Sequence, residues 1–358
     1  MMEFNEIETP FLWVDLDIME SNIEHLSSFF RSKELKWRPH SKGIKIPEIV
    51  NKLIDAGATG VTCAKLSEAE VMVDGGIKSI LIANQIVGEK KLNRLCELSK
   101  KAEILVAVDN TEVADQMNRL AKKNNASLNI LVEINIGMDR AGVKPGETTL
   151  NFCKYIHSLT HLNYLGVMAW EGHTCGILDP EEKNQMISDS LGHLTQTIEL
   201  LKINDLEPKI ISGAGSGTYQ ISTKHNVFNE IQSGGAVFTD EAYTKWGAIT
   251  SSSLYLRSSV TSRPNSKRII TDAGWKTLPA WSVSPKPLEL EEVESLSMSA
   301  EHGIVRTKTK NSVLKPGDYL DYQVGYGDAT VFLHEQLFGI RKGFLESVWS
   351  VKGRGKYT

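Results

Sequence analysis

Short apolar runs recur at near-regular intervals over the first two thirds of the chain, at residues 36–40, 60–65, 79–84, 103–109, 129–135, 164–170, 209–213 and 229–234. Most are continuous stretches of Val, Ile and Leu, which suits strands buried on both faces of a parallel sheet. The segments between them carry a helical period instead. Ile46, Ile49, Val50, Leu53 and Ile54 form one stripe, with Pro47 in the first turn and Gly57 past the end. Val113, Met117, Leu120 and Ala121 form a second, and Ile187, Leu191, Leu194, Ile198 and Leu201 a third. Strand and helix alternating eight times in about 240 residues predicts an α/β fold, a (β/α)8 barrel, with an open doubly wound sheet as the alternative.

After residue 242 the pattern shortens. Segments 253–257, 268–271, 303–308, 319–323 and 347–351 alternate and are broken by Pro, Gly and Asn, which predicts a β domain. Residues 11–15 also read as a strand and are expected to pair with that C-terminal sheet. The expected division is a barrel over 17–242 and a β domain over 243–358, joined by the N-terminal strand within 1–16. Glu289, Glu291, Glu292 and Glu294 read as a solvated face.

Composition narrows the function. Forty Lys and Arg against 44 Asp and Glu leave a formal charge of −4, with no basic excess for a phosphate backbone, so nucleic acid is not an expected partner. No apolar run approaches the ~20 residues of a membrane span. The opening MMEFNEIETP lacks the basic start and apolar core of a secretory signal, so a cytoplasmic location with no membrane partner is expected. Cys63, Cys96, Cys153 and Cys175 show no C-x-x-C spacing and are expected to be free thiols.

In a barrel of this kind the active site lies at the C-terminal strand ends, and phosphate often sits on the loops after strands seven and eight. The seventh predicted strand runs into Ser212-Gly213-Ala214-Gly215-Ser216-Gly217-Thr218, and the eighth into Ser233-Gly234-Gly235. Glycines at both addresses let the backbone approach an anion, which predicts a phosphate cradle. The first strand ends in Arg38-Pro39-His40-Ser41-Lys42, which delivers Lys42 to the barrel mouth. It reads either as a surface cation or as a Schiff-base lysine, whose reactive neutral form neighbouring cations such as Arg38 or Arg140 would favour. Arg140, one turn past strand five, suits a phenolate or carboxylate. Strand six ends in Trp170-Glu171-Gly172-His173, which offers an indole donor, a carboxylate and an imidazole; His173 reads either as structural or as a proton acceptor.

These residues are also the carriers of a resemblance. Thr9-Pro10 with Val14-Asp15-Leu16-Asp17, the Arg38-Pro39-His40-x-Lys42-x-x-Lys45 stretch, Cys63-Ala64-Lys65-Leu66-x-Glu68-Ala69-Glu70, Ala83-Asn84-Gln85 and Asp139-Arg140-x-Gly142-Val143 come in that order. The strand-seven glycine loop, Asp272-Ala273-Gly274 and Glu301-His302-Gly303 follow. Over nearly its whole length the chain resembles the D-threonine aldolase and D-serine dehydratase group, which has the alanine racemase fold and uses pyridoxal phosphate. The resemblance implies that Lys42 carries the cofactor as a Schiff base and that Arg140 faces its ring hydroxyl. Gly213, Gly215, Ser216, Gly217, Thr218, Gly234 and Gly235 would then hold its phosphate. It also implies a homodimer in which the β domain completes the partner's site.

Two positions depart from the group's pattern. Its late His-x-Cys or His-x-Asp pair holds a divalent metal such as Mn2+, Zn2+ or Mg2+, whereas this chain reads Tyr326-Gly327-Asp328. Asp328 alone matches a ligand, and a neutral phenol is a poor substitute for imidazole. Trp170 stands where relatives carry a tyrosine near the cofactor ring nitrogen, and an indole only donates hydrogen bonds. The implied activity is aldol cleavage of a small D-3-hydroxy amino acid to glycine and an aldehyde. D-serine or D-3-hydroxyaspartate dehydration, amino-acid racemisation and a non-catalytic carrier of the cofactor are the alternatives. Lys42 and His173 are the expected catalytic residues.

Overall fold

The computed structural model describes residues 2–311 and 313–358. The chain forms two compact units that interleave along the sequence. One comprises Ser27–Lys42, Pro47–Gly234 and Lys356–Thr358, the other Met1–Leu26, Gly43–Ile46 and Gly235–Gly355. Strand β1 (Phe11–Asp15) belongs to the second unit, and helix α1 (Leu16–Ser32) contributes to both.

The first unit is the barrel. Its strands are β2 (Lys36–Trp37), β3 (Val61–Cys63), β4 (Ser79–Gln85), β5 (Glu103–Val108), β6 (Leu128–Ile134), β7 (Leu162–Ala169), β8 (Ile210–Gly213) and β9 (Glu230–Ile231). All pair in parallel, in the order β2-β9-β8-β7-β6-β5-β4-β3. A single bridge between His40 and Thr62 closes the ring, supported by Thr59 N–H on Trp37 O at 2.8 Å and Thr62 N–H on Pro39 O at 2.9 Å. The eight predicted runs are these eight strands. The first ladder is shorter than predicted because Pro39 has no N–H to continue it. Between the strands lie α2 (Pro47–Asp55), α3 (Leu66–Asp74), α4 (Glu89–Ser99), α5 (Thr111–Lys123), α6 (Glu147–Ser158), α7 (Pro180–Ile203) and the short α8 (Tyr219–Ser222). The caps are sequence-encoded: the Asp179 carboxylate accepts from Glu181 N–H and Glu182 N–H, with Pro180 at the first helical position.

Leu81, Leu105, Ala107, Leu131 and Met168 fill the barrel interior, and burying each leucine is worth about 1.5–3 kcal/mol. A polar network shares that interior. Arg38 Nε lies 3.0 Å from Glu230 Oε2, and Ser212 Oγ donates to Glu230 Oε1 at 2.8 Å. Arg38 also donates to Ser79 Oγ at the start of β4, so its charge is committed to Glu230 and to the N-terminal end of a strand.

The second unit is built on a mixed sheet of β1, β10 (Leu254–Asn265), β11 (Arg268–Thr271), β12 (Lys286–Pro287), β13 (Val293–Met298), β14 (Gly303–Thr307), β15 (Tyr319–Gln323), β16 (Gln336–Arg341) and β17 (Phe344–Ser350). The main order is β13-β14-β11-β10-β1-β16-β17, with β15 pairing β10 and β12. β1 joins this C-terminal sheet as expected, antiparallel to β10 and parallel to β16. Glu289, Glu291, Glu292 and Glu294 are exposed, and Glu294 lies in β13. Short helices α9 (Glu241–Lys245) and α10 (Gly327–Thr330) complete this unit. The four cysteines form no disulfide, and no described helix is long and apolar enough to cross a membrane.

Candidate active site

Lys42 sits in a single helical turn directly after β2, and neighbouring side chains fix that turn. Ser41 Oγ donates to Thr62 O and to Glu68 Oε1, both at 3.1 Å, while Glu68 Oε2 accepts from Ala64 N–H at 2.8 Å. His40 Nδ1 takes the Lys42 N–H at 3.2 Å. Glu68, fully buried on α3, is thus what ties the lysine-bearing turn to β3. The sequence signal for Glu68 is a carboxylate shortly after a strand end.

Trp170, at the end of β7, is the floor of the same mouth. Lys42 Nζ lies 5.5 Å and Arg140 Cζ 5.2 Å from its ring centroid, within cation–π range. The indole fits because of two glycines: a Cβ on Gly172 would come within 2.6 Å of its ring, and one on Gly215 would stand 3.1 Å from Nε1. Its N–H is therefore directed at the loop after β8.

Arg140 is held by a scaffolded loop. The Asn135 carboxamide accepts from Gly137 N–H and Asp139 N–H and donates to Asp139, and Gly142 N–H reaches Asp109 Oδ2 at 2.8 Å. Gly142 has φ +104°, and a Cβ there would meet Asn135 N at 2.7 Å. Arg140 lies 3.6 Å from Glu133 Oε1, whose other oxygen accepts from Gln85. Burial pushes the Glu133 carboxyl above its ordinary range, opposed by Gln85 and Arg140.

The two glycine loops converge. Ser216 Oγ lies 3.1 Å from Ser233 Oγ, and both residues are buried. Trp37 Nε1 donates to Ser233 O at 2.7 Å, while Gly215 N–H donates to Thr218 Oγ1 at 3.0 Å. Gly213 and Gly234 are required by close backbone approach, since a Cβ would overlap Ala169 O and His40 O respectively. Gly217 lies in the turn between them, and Gly235 faces the Tyr243 ring of the second unit's own fold. Two buried hydroxyls from two loops, beside small residues, bring together polar groups of the kind that bind an anion.

His173 is placed differently from its neighbours in sequence. Its ring is wedged between Gly137, where a Cβ would come within 2.9 Å, and Ser190 on α7, 3.3 Å from Nε2. Nδ1 is buried without a hydrogen-bond partner.

Asp328 belongs to a second cluster, contained in the β unit. Tyr326 OH donates to Asp328 Oδ2 at 2.9 Å, and Tyr243 OH approaches the carboxylate at 3.3 and 3.4 Å. Burial, and then the Asp328 charge, holds the Tyr326 phenol above its ordinary range, so it stays a donor. Trp246 and Trp281 flank Tyr326 with centroids at 5.3 and 5.8 Å. A Cβ on Gly43, the residue bonded to Lys42, would overlap the Asp328 carboxylate. One carboxylate capped by two protonated phenols is not a donor set for Zn2+ or Mn2+, and the described residues contain no group of three or more His, Cys, Asp or Glu suited to a metal.

A family model described as alanine racemase, N-terminal domain, matches residues 14–242, and one described as a putative serine dehydratase domain matches 253–340. The chain belongs to the alanine racemase N-terminal domain family. Within this family it is 30% identical to a 3-hydroxy-D-aspartate aldolase of Paracoccus denitrificans, over 99% of this chain and 94% of that one. It is 29% identical to a D-threonine aldolase of an Arthrobacter species, over 98% and 93%. The solved D-threonine aldolase of Filomicrobium marinum superposes with a TM-score of 0.97 at 31% identity, covering 100% of this chain and 98% of that one. The barrel with its appended mixed sheet is accordingly the alanine racemase-like fold.

Proposed function

We propose that this family member is a pyridoxal phosphate-dependent lyase that cleaves the Cα–C3 bond of D-3-hydroxy amino acids, releasing glycine and an aldehyde. The observation that carries the reading is the convergence of Lys42 and Arg140 on Trp170 at the C-terminal end of the strands, beside the Ser216–Ser233 cradle. Aldolase relatives spanning nearly the whole chain support it. Lys42 would hold the cofactor, Arg140 its ring oxygen, and Ser216, Thr218, Ser233 and the backbone of Gly213, Gly215, Gly217, Gly234 and Gly235 its phosphate. Bound there, the cofactor supplies a carbonyl for amine exchange and an electron sink for the bond-breaking pair.

The chain's own residues manage the proton. As the Cα–C3 bond breaks, the 3-hydroxyl loses its proton, C3 becomes a carbonyl, and Cα takes up a proton to give glycine. Of the two candidate acceptors, His173 has one ring nitrogen buried and the other facing Ser190. Asp328, whose carboxylate lies against Gly43, is the second. Metal chemistry is not part of this reading, because the Tyr326–Asp328–Tyr243 set does not suit a divalent ion. The test is product identification from D-threonine with purified protein and added cofactor, with and without chelator. Glycine and acetaldehyde formed equally in both are expected, with replacement of the proton acceptor, by His173→Gln or Asp328→Asn, slowing turnover by ~100-fold or more. A 2-oxo acid or L-threonine as product would overturn the reading, as would activity that chelation abolishes and Mn2+ restores.

A reducing, cytoplasmic setting is part of the proposal, in keeping with four cysteines that form no disulfide. A homodimer is part of the same proposal, supported by exposed Phe344 and Val348 on the edge strand β17.

A further inference from the structure

The chain sets a carboxyl directly after Trp170, and the barrel unit buries it completely: Glu171 is 0% exposed. Its backbone carbonyl stays within its own turn, accepting from Thr174 N–H at 3.0 Å and from Thr174 Oγ1 at 2.8 Å. Its side chain leaves that turn and crosses to α8, where Ser222 Oγ donates to Oε1. The hydroxyl of Thr218, the residue before α8, is also within its reach. Oε2 is buried without a hydrogen-bond partner. Lys183 on α7 feels the Glu171 charge, yet burial outweighs that attraction and holds the Lys183 amine below its ordinary value. Burial likewise raises the Glu171 carboxyl, opposed by Ser222 and Thr218. A buried carboxylate needs donors on both oxygens, so this site favours the neutral acid.

The same carboxyl bears on the glycine loop after β8. Thr218 Oγ1 accepts from Gly215 N–H at 3.0 Å, and Gly215 O accepts from Thr218 N–H at 3.1 Å and from Tyr219 N–H at 2.9 Å, so Thr218 closes the turn on itself. Glu171 is joined to that turn by the hydroxyls of Thr218 and Ser222, and again through Trp170, whose ring lies against Gly215. We propose that Glu171 is the positioning residue of this loop, fixing Thr218 and the start of α8 so that Ser216 and the loop N–H groups present one geometry to a phosphate monoester. The proposal rests on the cofactor reading of the site and deepens it. A loop braced before its ligand arrives has less to order on binding. A neutral acid braces it without setting a negative charge near the phosphate, as a carboxylate at that depth would. The brace comes from 51 residues earlier than Ser222, outside the loop's own sequence.

The experiment compares pyridoxal phosphate with pyridoxal, which offers the same aldehyde and ring without the phosphate, by absorbance titration of the purified full chain. Glu171→Ala should weaken pyridoxal phosphate by at least ~10-fold, the scale of one or two hydrogen bonds, and pyridoxal by less than ~3-fold. Glu171→Gln keeps an oxygen for Ser222 Oγ and carries no charge, so it should restore most of the phosphate-dependent affinity. Ser222→Ala, which removes only a hydroxyl, should reproduce the loss, and the double variant with Glu171→Ala should lose little more. Where circular dichroism shows that Glu171→Ala does not fold, Ser222→Ala and Glu171→Gln carry the comparison. Equal weakening of the two ligands would assign Glu171 to folding alone and overturn the inference. Unchanged pyridoxal phosphate affinity in Ser222→Ala would do the same, as would a Glu171→Gln variant as weak as Glu171→Ala. Each of these leaves the lyase reading intact. A parent chain that binds neither ligand would overturn the lyase reading, and the inference with it.

Discussion

At the scale of single residues, chemistry is concentrated in positions whose neighbours leave them little freedom. Lys42 is the clearest case, because Ser41, Glu68 and His40 determine the turn that carries it. Reduction of the cofactor-loaded protein with borohydride, followed by peptide mapping, should label Lys42. A label on Lys45 or Lys65 would show that the turn presents a different amine. The glycines around Trp170 work in the same way from the opposite direction, by removing atoms. Gly172 and Gly215 leave the space that the indole fills, so the tryptophan and its two glycines are one unit of design.

At the scale of elements, the loops after β8 and β9 act together through the Ser216–Ser233 contact. Ser216→Asp would set a carboxylate against the bound phosphate, and cofactor affinity measured by absorbance titration should fall by ~100-fold or more, a scale set by unscreened like charges in a buried site. Unchanged affinity would mean that the loop is only a turn. The barrel strands were legible because burial on both faces writes uninterrupted apolar runs into the chain. β13 was not, because its outward positions are Glu and Ser and its exposed face hides the alternation. The site divides similarly. Lys42, Arg140 and the glycine loops follow strand ends, an address that periodicity supplies. The contacts of Glu133 with Gln85, and the wall formed by Tyr243, Trp246, Trp281 and Tyr326, join residues far apart in sequence, and no local pattern announces them. His173 follows a strand end, while its 3.3 Å contact with Ser190 on α7 is one that spacing does not encode.

At the scale of the whole molecule, one buried carboxyl links stability to pH. Burial raises Asp240 from 3.8 to about 7, against hydrogen bonds from Tyr243 N–H and Gly327 N–H. The folded state therefore binds this proton more tightly than the unfolded chain, and the stability it contributes is lost as pH rises from about 4 through about 7. Asp240→Asn keeps an oxygen for Tyr243 N–H and removes the ionisation, so the Tm of the variant should vary less over that interval than that of the parent. A second whole-molecule consequence belongs to β1. Residues 11–14 pair with 254–257, and residues 13–15 with 338–340, so the strand made first is needed last. The barrel strands all lie before residue 232 and are complete in sequence while β1 still has no partner. During synthesis, then, a chain halted short of β16 exposes on Phe11–Asp15 an apolar edge open to any passing strand, and aggregation of such nascent chains, rather than of the finished protein, is where this topology is most vulnerable.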